Sequence, residues 1–126
     1  MRIFKSKRFA RFSRRERISD ARLCIAIQNA ERGMIDADYG GGVIKQRIAR
    51  PNEGKSGGYR SIILFRRGGR SFFVYGFAKN DRTNIDDSDE RDFKELAGNL
   101  LTASDEDIKK LLEHGDFMEV IQHEQD

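Results

Sequence analysis

Three apolar runs with strand character, Val43–Ile48, Tyr59–Phe65 and Phe72–Phe77, stand at the centre of the chain, separated by glycine-rich segments. In the first, alternation puts Val43, Lys45 and Arg47 on one face and Ile44, Gln46 and Ile48 on the other. Arg50-Pro51 ends that run, since proline cannot donate to a ladder, and Arg66–Gly69 forms a hairpin loop between the other two. Three strands in succession make an antiparallel meander the simplest topology. Ahead of them, Lys5–Glu16 reads as a basic helix with Phe9 and Phe12 on one face. Ser19 or Asp20 caps a second helix that closes near Gly33, with Leu23, Ile27, Ala30 and Met34 at core spacing. Gly40-Gly41-Gly42 breaks the helical pattern and introduces the sheet.

Beyond the sheet the period returns to that of a helix. Asp86 or Asp87 caps a segment whose Phe93, Leu96, Ala97, Leu100 and Leu101 make one apolar stripe. Ser104 with Asp107 starts another, carrying Ile108, Leu111 and Leu112 to a stop at Gly115, and Phe117–Ile121 suits a last short strand. The fold class is therefore α+β: two N-terminal helices, a small curved antiparallel sheet, and C-terminal helices.

Composition narrows this picture. A chain of 126 residues, 37% hydrophobic and 36% charged, suits one domain over residues 1–126 with a compact core. Cys24 is the sole cysteine, so an internal disulfide is excluded and a reducing, cytoplasmic setting fits. No apolar run reaches membrane-spanning length. The net charge of +3 conceals a segregation: residues through Arg82 hold 20 of the 24 Lys/Arg but 7 of the 21 Asp/Glu, a net of +13. From Thr83 onward the net is −10. A polyanion partner for the first part follows.

Several chemistries are excluded. Gly54-Lys55-Ser56 resembles the end of a phosphate-binding loop, but Ala49 stands where the first glycine belongs and a strand follows, not a helix. One cysteine and the separated His114 and His123 give no zinc spacing, and neither a metal nor a cofactor is expected. What remains is cations among phenols. In an antiparallel hairpin the start of one strand lies beside the end of the next, so Arg60, with Lys55 before it, falls near Lys79 and Arg82. Clustered cations are costly without an anion, which favours a phosphate site. Cations also catalyse: RNA cleavage needs a 2′-OH deprotonated, charge stabilised on phosphate and a leaving oxygen protonated, roles open to lysine and arginine. Tyr59 and Tyr75 are placed to stack a base or join proton transfer, or else to fill the core. These residues alone define an RNA- or DNA-phosphate binding domain.

The strings Arg47-Ile48-Ala49-Arg50-Pro51, Gly54–Arg60 and Phe72–Asn80, then Asn84-Ile85, resemble the RelE/HigB-type toxins of bacterial toxin–antitoxin pairs, nearest the HigB-like branch. Residues 3–121 carry the resemblance, the basic N-terminal helix included. It implies a RelE-like fold and a ribosome-dependent mRNA endoribonuclease that is metal-free and acts at the 30S decoding site through 2′-OH attack. It further implies a cognate helix-turn-helix antitoxin. Arg60 matches the strand arginine that meets the scissile phosphate, Lys55 a basic-loop residue, and Lys79 the lysine ending the last central strand. Asn80 replaces an arginine, for which Arg82 is the candidate substitute, and the C-terminal catalytic tyrosine has no counterpart. The expected catalytic set is Lys55, Arg60, Lys79 and Arg82, with Lys45, Arg47, Arg50, Tyr59 and Tyr75 binding RNA. Two other readings compete: a ParE-like inhibitor of DNA gyrase, and a basic RNA- or ribosome-binding module without catalysis.

Overall fold

The computed structural model describes residues 1–49, 58–78 and 85–122. The elements run β1 (Ile3–Ser6), α1 (Lys7–Arg15), α2 (Asp20–Glu31), β2 (Ala37–Gly40), β3 (Val43–Ile48), β4 (Tyr59–Phe65), β5 (Ser71–Ala78), α3 (Asp87–Leu100), α4 (Asp105–His114) and β6 (Phe117–Glu119). They form one α+β architecture in which a six-stranded sheet, ordered β2-β3-β4-β5-β1-β6, separates two helical layers.

The expected meander is present: β3, β4 and β5 pair antiparallel, with Arg47 opposite Arg60 and Arg60 opposite Phe77. Two features extend it. A polar edge strand, β2, precedes the meander, and the three glycines serve the β2–β3 turn, with Gly40, Gly41 and Gly42 all at positive φ. Chain ends add the rest, β1 pairing parallel with β5 and β6 pairing antiparallel with β1. The sheet is thus mixed, and mostly antiparallel.

Helix boundaries follow side-chain caps. Ser6, Ser19, Asp86 and Ser104 each accept a hydrogen bond from the backbone N–H three residues on. Ser6 therefore starts α1 two residues later than the basic pattern suggested, leaving Lys5 and Ser6 to β1. Asp20, freed from capping, takes the Lys5 ammonium at 2.8 Å and the Ile121 N–H at 2.9 Å.

Each sheet face has its own core. Against one face, α1 and α2 bury Phe9, Phe12, Leu23, Ile27 and Ala30 on Ile44, Ile48, Ile63 and Phe73. On the other, Ala97 and Leu100 of α3 and Ile108 of α4 cover Val43, Ile62, Leu64 and Phe72. Met34 departs from expectation: it is 54% exposed. The helix ends at Glu31 and Gly33 turns left-handed at φ 84°, so helical periodicity no longer governs position 34. Cys24 packs against the first core, and burial, aided by the Asp20 carboxylate, pushes its thiol up from the usual range. That disfavours the thiolate and leaves Cys24 a packing residue. Among the described residues no helix is long and apolar enough to cross a membrane.

Candidate nucleic-acid interface

Strand alternation builds the site. Lys45 and Arg47 of β3, Arg60 of β4 and Tyr75 of β5 share the face that α3 and α4 cover at its far end, where Val43 and Leu64 lie. Arg47 and Arg60 are cross-strand partners, so two guanidinium-bearing residues rise side by side. The side chains of Arg60 and Lys45 keep 14% and 16% of their exposure, which places them within the face and not out in bulk water.

An anion already sits among them. Asp36, just before β2, brings Oδ2 to 3.1 Å from Arg60 Nε and 3.8 Å from Lys45 Nζ. Its own N–H donates to the Gln46 side-chain oxygen at 3.3 Å. Gln46 is buried on the opposite face and donates to the carbonyls of Ala26 and Met34, both at 2.9 Å. The Arg60 guanidinium also donates through Nη1 to the Tyr59 carbonyl at 3.4 Å. Part of the like-charge cost that pointed to an external anion is therefore met within the chain. Lys45, Arg47, Arg60 and Asp36 together still leave a net charge of +2 on this part of the face.

The two tyrosines separate. Tyr75 lies on the cationic face, beside Phe77 and Phe93 at centroid distances of 5.8 and 6.4 Å. The Arg8 guanidinium of α1 stacks over its ring at 4.4 Å. Tyr59 goes to the opposite face, where it is 4% exposed, meets Phe12 edge-on and donates its hydroxyl to Glu16 at 2.9 Å. It is a core residue in position and is not brought to the cations. Arg50, Lys55, Lys79 and Arg82 lie outside the described residues.

Arg8, Arg11 and Arg15 line, with Phe12, Tyr75, Gly76 and Phe77, a groove of about 500 Å³ between α1 and β5. All three arginines are exposed, so the basic surface continues from the sheet face past Tyr75 onto the helix. Sequence reasoning missed Asp36 and the stacking of Arg8. The spacing of Arg8, Arg11 and Arg15, at i, i+3 and i+7, signalled a shared helix face; nothing local signalled Asp36, whose partners lie on β3 and beyond it on β4.

An α+β fold with a helical layer on each side of a small sheet thus carries one cationic, partly aromatic face. The sequence profile of the RelE toxin of the RelE/RelB toxin–antitoxin system matches residues 1–120. The chain belongs to that family and is a toxin of a toxin–antitoxin system, for which an antitoxin is the implied partner. A search of curated proteins finds no significant match.

Proposed function

We propose that this toxin is a ribosome-dependent mRNA endoribonuclease of the HigB-like branch, acting in the cytoplasm and held in check by a helix-turn-helix antitoxin. The observation that carries this reading is the Arg47–Arg60 cross-strand pair, with Lys45 and Tyr75 on the same open face. A phosphodiester lying across β3 and β4 meets both guanidinium groups, which suit the in-plane oxygens of phosphate. Cleavage requires no metal in this scheme. The 2′-oxygen gives up its proton and attacks the adjacent phosphorus; the P–O5′ bond breaks, the 5′-oxygen takes a proton, and a 2′,3′-cyclic phosphate remains. Arg60 holds the charge that builds on the phosphate oxygens. Lys55, Lys79 and Arg82 are the candidates for proton transfer and further charge stabilisation. Lys45, Arg47 and Arg50 hold flanking phosphates. A base stacks in the aromatic neighbourhood of Tyr75, where Arg8 already shows the ring's affinity for a planar cation.

Mapping transcript 5′ ends after induction tests this. The expected result is cuts within translated messages, at codon-linked positions, absent when Arg60→Ala is induced to the same level. Intact messages with DNA damage would instead favour a ParE-like gyrase inhibitor. Intact messages with stalled translation would favour a binding module without catalysis.

A further inference from the structure

We infer that Asp36 is a positioning residue for Arg60, fixing its guanidinium so that one edge stays open to the phosphate. The inference rests on the reading of Arg60 as a phosphate ligand. A guanidinium carries five N–H donors in one plane. In this protein the carboxylate of Asp36 forms an ion pair with Nε at 3.1 Å, and the Tyr59 carbonyl accepts a hydrogen bond from Nη1 at 3.4 Å. The plane is held at two ends, while Nη2 has no hydrogen-bond partner among the described residues. Asp36 is itself anchored, since its N–H donates to Gln46, which is tied to Ala26 and Met34. A chain of contacts therefore runs from the core of α2, through the sheet, to the reacting face.

The arrangement sets two effects of one carboxylate against each other. Its charge lies near the place a phosphate would occupy and opposes binding there. Its ion pair with Nε orders the arginine before the phosphate arrives, which favours the reaction step over ground-state binding. Asp36→Asn keeps the size of the side chain and removes the charge behind both effects, so the lost repulsion should show in affinity and the lost ordering in rate.

The test uses the full-length toxin and its Asp36→Asn and Asp36→Glu variants. Single-turnover cleavage on programmed ribosomes should fall about 10- to 100-fold for Asp36→Asn, the range that misplacing a catalytic group produces. Affinity for a non-cleavable 2′-O-methyl oligonucleotide should hold or tighten, and Asp36→Glu should recover part of the rate. In the free protein, the NMR signal of Arg60 Nε–H should be ordered in the wild type and lost in Asp36→Asn. Rate and affinity falling together in proportion, or an unchanged rate, would overturn the inference. So would an Arg60 signal equally ordered in both proteins. Should the wild type cut no RNA, the endoribonuclease reading fails by itself, and the Nε–H comparison still decides whether Asp36 orders Arg60.

Discussion

Tyr59 and Arg60 are adjacent in the chain and serve opposite faces of β4. Tyr59 lies under α1 with its hydroxyl on Glu16, while Arg60 rises among Lys45, Arg47 and Asp36. Replacing Tyr59 by phenylalanine removes one hydrogen bond and keeps the edge-on contact with Phe12. Stability should fall by about 0.5–1.5 kcal/mol, the net value of such a bond, and RNA cleavage should not change. Chemical denaturation together with a cleavage assay checks both halves. A loss of cleavage at unchanged stability would return Tyr59 to the reacting set. Gln46 invites the contrasting experiment. Gln46→Ala strands the Ala26 and Met34 carbonyls and the Asp36 N–H at once, so a larger loss of about 2–3 kcal/mol is expected, measured the same way.

Among the elements, β1 and β6 close the sheet with chain ends and are clamped by Arg2 and Glu119. Arg2 Nη2 and Nε donate to the two carboxylate oxygens at 2.9 and 3.0 Å. That hydrogen bonding holds the Glu119 carboxyl below the usual glutamate range, ahead of an opposing cost of burial. A carboxyl depressed in the folded state adds stability above its unfolded pKa, and loses it as pH falls through the folded value. Glu119 is 43% exposed in its side chain, so solvent screens much of the pair and the effect is small. Wild type should melt slightly above Glu119→Gln at neutral pH, and the difference should vanish in acid, below the ordinary glutamate range. A difference that persisted there would assign the effect to packing. These end strands also mark what was hard to read from sequence. The meander was legible because β-branched and aromatic runs of six to eight residues sit between glycines, and α3 and α4 because Asp86 and Ser104 cap them. The last strand was expected over Phe117–Ile121 and runs Phe117–Glu119, but the four residues of β2 carry too little periodicity, and the parallel partnership of β1 with β5 is a contact between distant segments. The cations of the face were legible for the same local reason as the meander. Asp36 was not, because its role exists only once Arg60 reaches across β3.

At the scale of the whole molecule, the charge segregation along the chain becomes a segregation in space. Among the described residues, α1 carries Lys7, Arg8, Arg11, Arg14 and Arg15 and the open sheet face Lys45, Arg47 and Arg60, whereas acids crowd α3 and α4, which cover the far end of that same face. Many of these acids lie in helix first turns, where they favour the helix dipole: Asp87, Asp89 and Glu90 in α3, and Asp105, Glu106 and Asp107 in α4. Glu95 and Glu113 lie outside those turns, are exposed, and make no ion pair among the described residues. A negative field beside a phosphate site repels the approaching backbone, and its reach is about 8 Å at physiological salt. If the open face binds RNA as proposed, this field would act on association without any contact. Neutralising Glu95 and Glu113 together, each to glutamine, should leave the melting temperature nearly unchanged, as surface substitutions do. Association with a non-cleavable RNA should quicken about two- to fivefold at low salt, because steering by net charge acts on the on-rate. Raising the salt should erase the gain, since exposed charges are screened once the Debye length shrinks to about 3 Å at 1 M. Stopped-flow binding across a salt series measures it. A gain that survived high salt would mean the substitutions made new contacts, and no gain at any salt would confine α3 and α4 to covering the sheet.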